Sequence, residues 1–346
     1  MADTALPPAD ILRSRPWLDM LPIALIVLVL AIVPVIASAI GEPFLIRVAT
    51  RVVVFAIAAA ALNLVLGFGG LVSLLHAGLF GIGGYVVAIL SFHEANAEPL
   101  ALGALAISGT GNLLVSLPLA AAVAAAAAAI MGVISLRTLG SYFIMITLAF
   151  NQMLYYFFIA LQKYGGEDGL QVQGRLDLGS LNPSSRMPFF YVCLAVLAVV
   201  LVILQRLVGS RFGMVLRATA QNERRVIAVG IPPLRYKLAA FAISGGITGL
   251  AGALLVAGQQ FISPADMSWI RSGDLVVMCV LGGIATVWGP VIGAGVFLVL
   301  ELVLSSYTTY WQLPFGLVII ALAVFLHGGL SDMAAMAGRQ LRGTRA

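Results

Sequence analysis

Apolar runs of roughly membrane-spanning length recur along the chain, parted by short polar links. They fall near 21–40, 48–67, 71–92, 112–136, 139–161, 189–208, 238–259, 275–287, 290–306 and 313–328. A helix needs about 20 apolar residues to cross a bilayer core. The pattern therefore predicts an all-α polytopic membrane protein with about 10 transmembrane helices, within a range of about 8–10. The eighth and ninth runs are short and divided by Trp288-Gly289-Pro290. They read either as a hairpin of half-length helices or as one long kinked helix. No link is long enough for a soluble domain, so residues 1–346 form a single transmembrane domain.

Composition agrees with the pattern. The chain is 61% hydrophobic and 10% charged, with mean hydropathy +1.07, where a soluble domain carries about 25% charged residues. The net charge of +5 sits in the links, which argues for topology and against nucleic-acid binding. Arg13 and Arg15 precede the first run, and residues 37–39 imitate a signal-peptidase site. That run exceeds a usual signal core of about 7–15 residues, so it reads as an uncleaved first helix.

Basic residues collect in the link 206–237, with Arg206, Arg211, Arg217, Arg224, Arg225, Arg235 and Lys237 against Glu223 alone. Positive charge marks cytoplasmic loops. This link, the N-tail 1–20 and the C-tail 331–346 are accordingly expected in the cytoplasm, which an even number of crossings between them satisfies. The link 162–188 balances three basic residues with three acids and suits the external side. Ten spans meet these conditions; eight spans with re-entrant pieces remain an alternative.

Two stretches resemble each other. GGLVSLLHAGLFGIGGYVV begins at Gly69 and GGIATVWGPVIGAGVFLVL at Gly282. Both open on paired glycines, break in the middle and resume with Gly-x-Gly, given one residue of gap. Interrupted segments in corresponding positions of two halves are a mark of repeat-built transporters, so two related, inverted halves are expected.

Reactive chemistry is scarce. No Gly-Lys-Ser/Thr phosphate loop exists, since the only lysines are Lys163 and Lys237; ATP hydrolysis by this chain is not expected. His93-Glu94 lacks the second histidine of a zinc helix, because Ala97 stands there. Cys193 and Cys279 lie in apolar runs without metal spacing. Glu301 is the one strong intramembrane acid, and a place near a helix end accounts for it. Uncharged polar residues remain inside the runs: Asn63, Ser73, Tyr142, Thr147, Asn151, Gln152, Ser244, Thr248 and Thr286. They suit helix–helix hydrogen bonds or the lining of a neutral passage. The Ala120–Ala129 run, broken only by Val123, suits close helix packing.

The basic link also has local structure. Residues 213–220 favour helix, Asn222 is a plausible N-cap ahead of Glu223, and Gly230 can close the second helix. Pro232-Pro233 stops continuation before the next span. Two short helices forming an elbow are predicted, with Ala218, Val226, Ile227 and Val229 as its apolar surface.

Here the chain resembles a family. Arg217-Ala218, Asn222-Glu223, Gly230-Ile231, Arg235-Tyr236-Lys237 and FAISGGITGLAGALL resemble branched-chain amino acid ABC transporter permeases, the M-type subunit in particular. GFGGLVSLLHAGLFGIGGY at 67–85 is similar to that family's N-terminal hallmark, and GGEDGL at 165–170 to its external loop, with Tyr164 a departure from the small hydroxyl residue expected there. The resemblance implies an inner-membrane permease with no cofactor of its own. It further implies a second permease subunit, two ATPase subunits using ATP and Mg, and a periplasmic substrate-binding protein. ATPase coupling would then fall to Arg217, Ala218, Asn222, Glu223, Arg225 and Gly230. Pore and gate candidates are Gly70, Ser73, His76, Gly81, Gly83, Asn151, Gly283 and Gly293, where broken helices free backbone groups tolerable only against protein or a wet cavity. A urea or sugar permease of the same type is an alternative, as is a stand-alone channel or ion-coupled carrier. A membrane-embedded enzyme is disfavoured because no nucleophile–base set or metal cluster is present.

Overall fold

Helix follows apolar run through most of the computed structural model, which describes residues 16–97, 99–102, 105–107, 109–138, 140–172, 176, 186–284 and 286–325. Most of the N-tail and all of the C-tail, 331–346, lie outside the described residues. Helix α1 covers Pro16–Ile40 and α2 Pro43–Asn63, the latter continuing as a π turn over Leu64–Phe68. After a non-helical stretch come α3 (His76–Ala95), a hairpin of β1 (Leu100–Leu102) and β2 (Leu105–Ile107), α4 (Leu113–Ser135) and α5 (Ser141–Ala160). Two single 3-10 turns and β3 (Leu170–Gln171) lead to α6 (Arg186–Gly209).

Beyond α6 lie the short helices α7 (Arg211–Gln221) and α8 (Glu223–Ala228), then α9 (Pro233–Gln259). Strand β4 (Phe261–Ile262) pairs antiparallel with β3, and a 3-10 turn at Pro264–Met267 leads into α10 (Trp269–Gly282), α11 (Gly289–Tyr307) and α12 (Gln312–Phe325). Eight of the helices are long and apolar enough to cross a membrane. The α-helical polytopic class is therefore the observed one.

Two predicted spans begin or end elsewhere. The run 71–92 becomes helical only at His76, because Gly69 and Gly70 end the preceding turn and Gly70 takes φ +66°. The run 275–287 starts earlier, at Trp269, and stops at Gly282. Gly283 there adopts φ 109° and ψ 115°, a conformation closed to other L-residues. Apolar residues continue through both breaks, which is why hydropathy alone extended the helices across them.

The core is organised around α9. Its segment FAISGGITGLAGALL presents a row of small residues to α3 and α4. A Cβ on Gly252 would overlap the Phe80 carbonyl of α3, and one on Gly249 would overlap the Ala124 side chain of α4. The alanine-rich α4 supplies the matching smooth face with Ala120, Ala124 and Ala128, all fully buried. Between lipid-bathed helices association relies on close van der Waals approach, and small residues permit it. Helix α2 packs on the same centre, with residues 53–65 almost wholly buried. Helix α1 lies against α2 and α6 at the outside of the bundle, where Tyr191 donates to the Ala31 carbonyl at 3.3 Å.

Candidate translocation and coupling site

Both interruptions pack against neighbouring helices, and side chains take up part of the backbone of each. At the first, the Leu74 amide donates to Thr147 Oγ1 of α5 at 3.2 Å, and Ser272 of α10 donates to the Leu74 carbonyl at 2.7 Å. The first amides of α3 would otherwise lack partners. The Ala77 amide donates to Ser272 Oγ at 3.0 Å and the Gly78 amide to Asn151 Oδ1 at 2.7 Å. Asn151 also donates through Nδ2 to the Met267 carbonyl at 2.8 Å, so one α5 side chain holds α3 and the turn before α10 together.

His76 opens α3 and is wholly buried. Ser244 Oγ gives its proton to the Ala61 carbonyl and so accepts from His76 Nε2 at 2.9 Å. Ser73 Oγ takes the Leu75 amide and faces Nδ1 at 3.2 Å. This bonding describes a neutral imidazole protonated at Nε2. It pins the break to α9 and, through Ala61, to α2.

The second interruption, 283–288, lies beside the first. Asn63, on the last turn of α2, donates to the Thr286 carbonyl at 2.8 Å, and the Gly289 amide at the start of α11 donates to Thr286 Oγ1 at 3.1 Å. Gly67, in the π turn, leaves its Cβ position to the Ile284 carbonyl. The residues capping the two resumed helices have nearly equal backbone angles, φ −87° and ψ −17° at Leu75 and φ −89° and ψ −17° at Trp288.

Of the pore and gate candidates, Ser73, His76, Gly81, Gly83, Asn151, Gly283 and Gly293 are buried and Gly70 is exposed. Gly81 gives room to Met267, Gly83 to the Gly249 carbonyl, and Gly293 to the Met278 carbonyl at the end of α10. Ser73, His76 and Asn151 belong to one hydrogen-bonded cluster, while Gly283 and Gly293 belong to the second break.

The basic link forms the expected elbow. Asn222 Oδ1 accepts the Arg225 amide at 3.1 Å and caps α8, and Gly230 closes that helix at φ +85°. Arg217 bends back onto the end of α6, donating to the Val208 carbonyl at 3.2 Å. Glu223 reaches Lys237 of α9 at 2.7 Å, and the lysine side chain is only 6% exposed. Ala218, Arg225, Ile227 and Val229 face outward, joined by Met214. Val226, predicted for that surface, is instead buried, since its place in α8 turns it inward. Near its end α7 sets Ala220, itself exposed, beside the start of the first break: a Cβ on Gly70 would stand 3.1 Å from the Ala220 methyl.

Sequence reasoning missed a charged cluster. Arg51 of α2 pairs with Glu301 of α11 at 3.5 Å, and Arg271 pairs with Asp274 within α10 at 3.4 Å. The guanidinium carbons of Arg51 and Arg271 lie 5.6 and 5.8 Å from the Phe55 ring centroid. The signal was available, for Arg51 stands inside the predicted span 48–67, where a lone charge requires a partner. Tyr164, the departure in the external loop, hydrogen-bonds His93 Nε2 at 2.9 Å. Among the described residues no group of three or more metal-ligating side chains occurs.

Broken helices packed at a bundle centre, with an exposed elbow touching one break, define the chain as a membrane permease. Residues 44–326 match the family described as branched-chain amino acid transport system / permease component. The chain belongs to that family: it is the permease subunit of an ABC transport system and works with other subunits. It is 26% identical over 333 residues to the high-affinity branched-chain amino acid transport system permease protein LivM of Salmonella typhimurium, across 88% of this chain and 75% of that one. The LivM protein of Escherichia coli is similar to the same extent. A shorter likeness, 30% identity over 85 residues and 25% of each chain, is to the L-arabinose ABC transporter permease protein AraH of Azospirillum brasilense. No solved structure matches the chain.

Proposed function

We propose that this permease forms half of the pore of an ATP-driven importer for branched-chain, hydrophobic amino acids. The likeness to LivM over most of the chain supports the substrate class. On this reading the protein lies in a bacterial inner membrane with both termini and the elbow in the cytoplasm. A second permease subunit completes the pore, two ATPase subunits dock on the elbows, and a periplasmic binding protein delivers substrate. ATP and Mg act only in the ATPases.

The observation that carries the mechanism is the contact between Ala220 and Gly70. The exposed side of α7 and α8 offers Met214, Ala218, Ile227 and Val229 within a rim of arginines, a surface suited to a protein partner. Ala220 at the end of α7 lies beside Gly70, where the first break begins, and the Glu223–Lys237 pair ties α8 to α9. A push from a closing ATPase dimer therefore has a short path to the interrupted helices. Substrate is taken to pass where those interruptions can rearrange, and a zwitterion without net charge suits a path that holds few unpaired charges.

The test is reconstitution of the whole importer in proteoliposomes. Uptake of L-leucine should require ATP, both permeases and the binding protein. Asn222→Pro should insert and assemble while ATPase stimulation and uptake fall together. Uptake of urea or arabinose in place of leucine would overturn the substrate class, and leucine uptake by this chain alone without ATP would overturn the mechanism.

A further inference from the structure

On the face away from α7 and α8, the first turns of α2 and α6 and the last turns of α9 and α11 enclose a pocket of about 600 Å³. That volume suits a small organic ligand. The walls mix apolar and polar groups, with Phe189 and Leu298 among the former and Arg47, Arg51, Arg186 and Glu301 among the latter. Arg51 lies eight residues into α2 and Glu301 six residues before the end of α11, about 12 and 9 Å along the helices at 1.5 Å per residue. Charges at such depth are costly and tend to mark a functional cavity.

The pair is incompletely satisfied. Arg51 meets Glu301 through Oε1 at 3.5 Å, while Oε2 is buried with no hydrogen-bond partner. Helix α9 ends at this pocket, with Gly258 and Gln259 in the lining, so the negative end of its dipole points there. Arginines on one side, and a carboxylate oxygen with a helix C-terminus on the other, set up two opposite charges a short distance apart.

We propose that this pocket binds the free amino acid as a zwitterion. Arg51 and Arg47 receive the α-carboxylate, the Glu301 carboxylate that lines the pocket receives the ammonium, and the apolar wall at Phe189 and Leu298 takes the branched side chain. A simple cation would meet three arginines and a simple anion would leave Glu301 without a counter-charge, whereas an amino-acid zwitterion sets each of its charges opposite a complement. The proposal rests on the amino-acid reading above and adds a site within this subunit on the face where substrate arrives.

The experiment uses the whole importer in phosphatidylcholine nanodiscs, without binding protein or ATP, titrated with L-leucine, 4-methylpentanoate and isopentylamine. Leucine should bind saturably, and the two half-molecules, which lack the ammonium or the carboxylate, about ten- to a hundredfold more weakly. Arg51→Gln and Glu301→Gln should each weaken leucine binding about tenfold or more. Glu301→Gln should weaken leucine yet tighten 4-methylpentanoate, because it frees Arg51 and removes the charge that opposes the carboxylate, an inversion that a merely structural carboxylate would not predict. Because either change could impair folding, Leu302→Trp provides a second variant: it fills the pocket at a half-exposed position, keeps the ion pair, and should abolish leucine binding. An importer that transports leucine but binds none here, or whose binding ignores all three variants, would overturn the pocket and leave the proposed function standing. Protection of Leu302→Cys from a maleimide by phosphatidylglycerol and not by leucine would replace the proposal with a lipid site. An importer that transports no amino acid would remove the pocket's ligand along with the substrate class.

Discussion

Lys237 illustrates how a single charge can be held inside this bundle. Its ammonium lies 2.7 Å from Glu223, and the two partners differ in exposure, 6% for the lysine side chain and 32% for the glutamate. Removing one partner of a buried pair hurts most when the survivor cannot reach water. Glu223→Gln strands the buried ammonium and should cost about 1–3 kcal/mol, discounted for the exposed half of the pair. Lys237→Met leaves a carboxylate that can turn to solvent and should cost less. Thermal unfolding of the purified subunit in detergent checks the order, and equal losses would mean that the pair contributes nothing asymmetric. Asn151 makes a different case, because it serves two backbone groups at once, the Gly78 amide and the Met267 carbonyl. Asn151→Leu leaves both buried and unpaired, at about 2–5 kcal/mol for the two together, and should lower both melting temperature and yield. Asn151 could be picked from the sequence as an intramembrane polar residue. Its partners could not, since they lie 73 and 116 positions away in the chain.

At the scale of elements, what hydropathy predicts is helix, and what it cannot register is a helix that stops while its apolar residues continue. Leu71, Val72, Leu74 and Leu75 are as apolar as a span requires, yet they run non-helically because Thr147, Ser272 and Ser73 take up the backbone groups. The paired glycines marked both breaks; their length and their mutual contact came only from the fold. The elbow was far more legible, because caps act within a few residues: Asn222, Gly230 and Pro232-Pro233 do what their local chemistry dictates. The second break offers a sharp test. Gly283 holds φ 109° and ψ 115°, so Gly283→Ala should cost about 1–3 kcal/mol in backbone strain. In the assembled importer this variant should slow transport even where expression is preserved, which uptake per mole of purified complex measures. Unchanged uptake would show that the second break tolerates another conformation.

For the whole molecule, sidedness follows from where charge and connectivity meet. Helices α6 and α9 place the elbow at one end of the bundle, and β3 with β4 at the other. Arg217→Cys and Arg224→Cys should react with an impermeant maleimide only from the cytoplasm, and Asp168→Cys only from outside. Labelling of position 217 from outside would invert the orientation. The class of fold was readable from length and hydropathy because a bilayer allows few backbone solutions. The charged cluster around Phe55 was not, since pairing Arg51 with Glu301 joins positions 250 residues apart.

The bond from Asn63 to Thr286 has a consequence for how the subunit can move. It fastens the end of one interrupted element to the middle of the other, while Ala220 lies beside Gly70 on the elbow side. A displacement entering at Gly70 should therefore be felt at the second break as well as the first. Parting the two joints would break that tether and leave the Thr286 carbonyl unpaired, so coupled movement of the pair is the cheaper course.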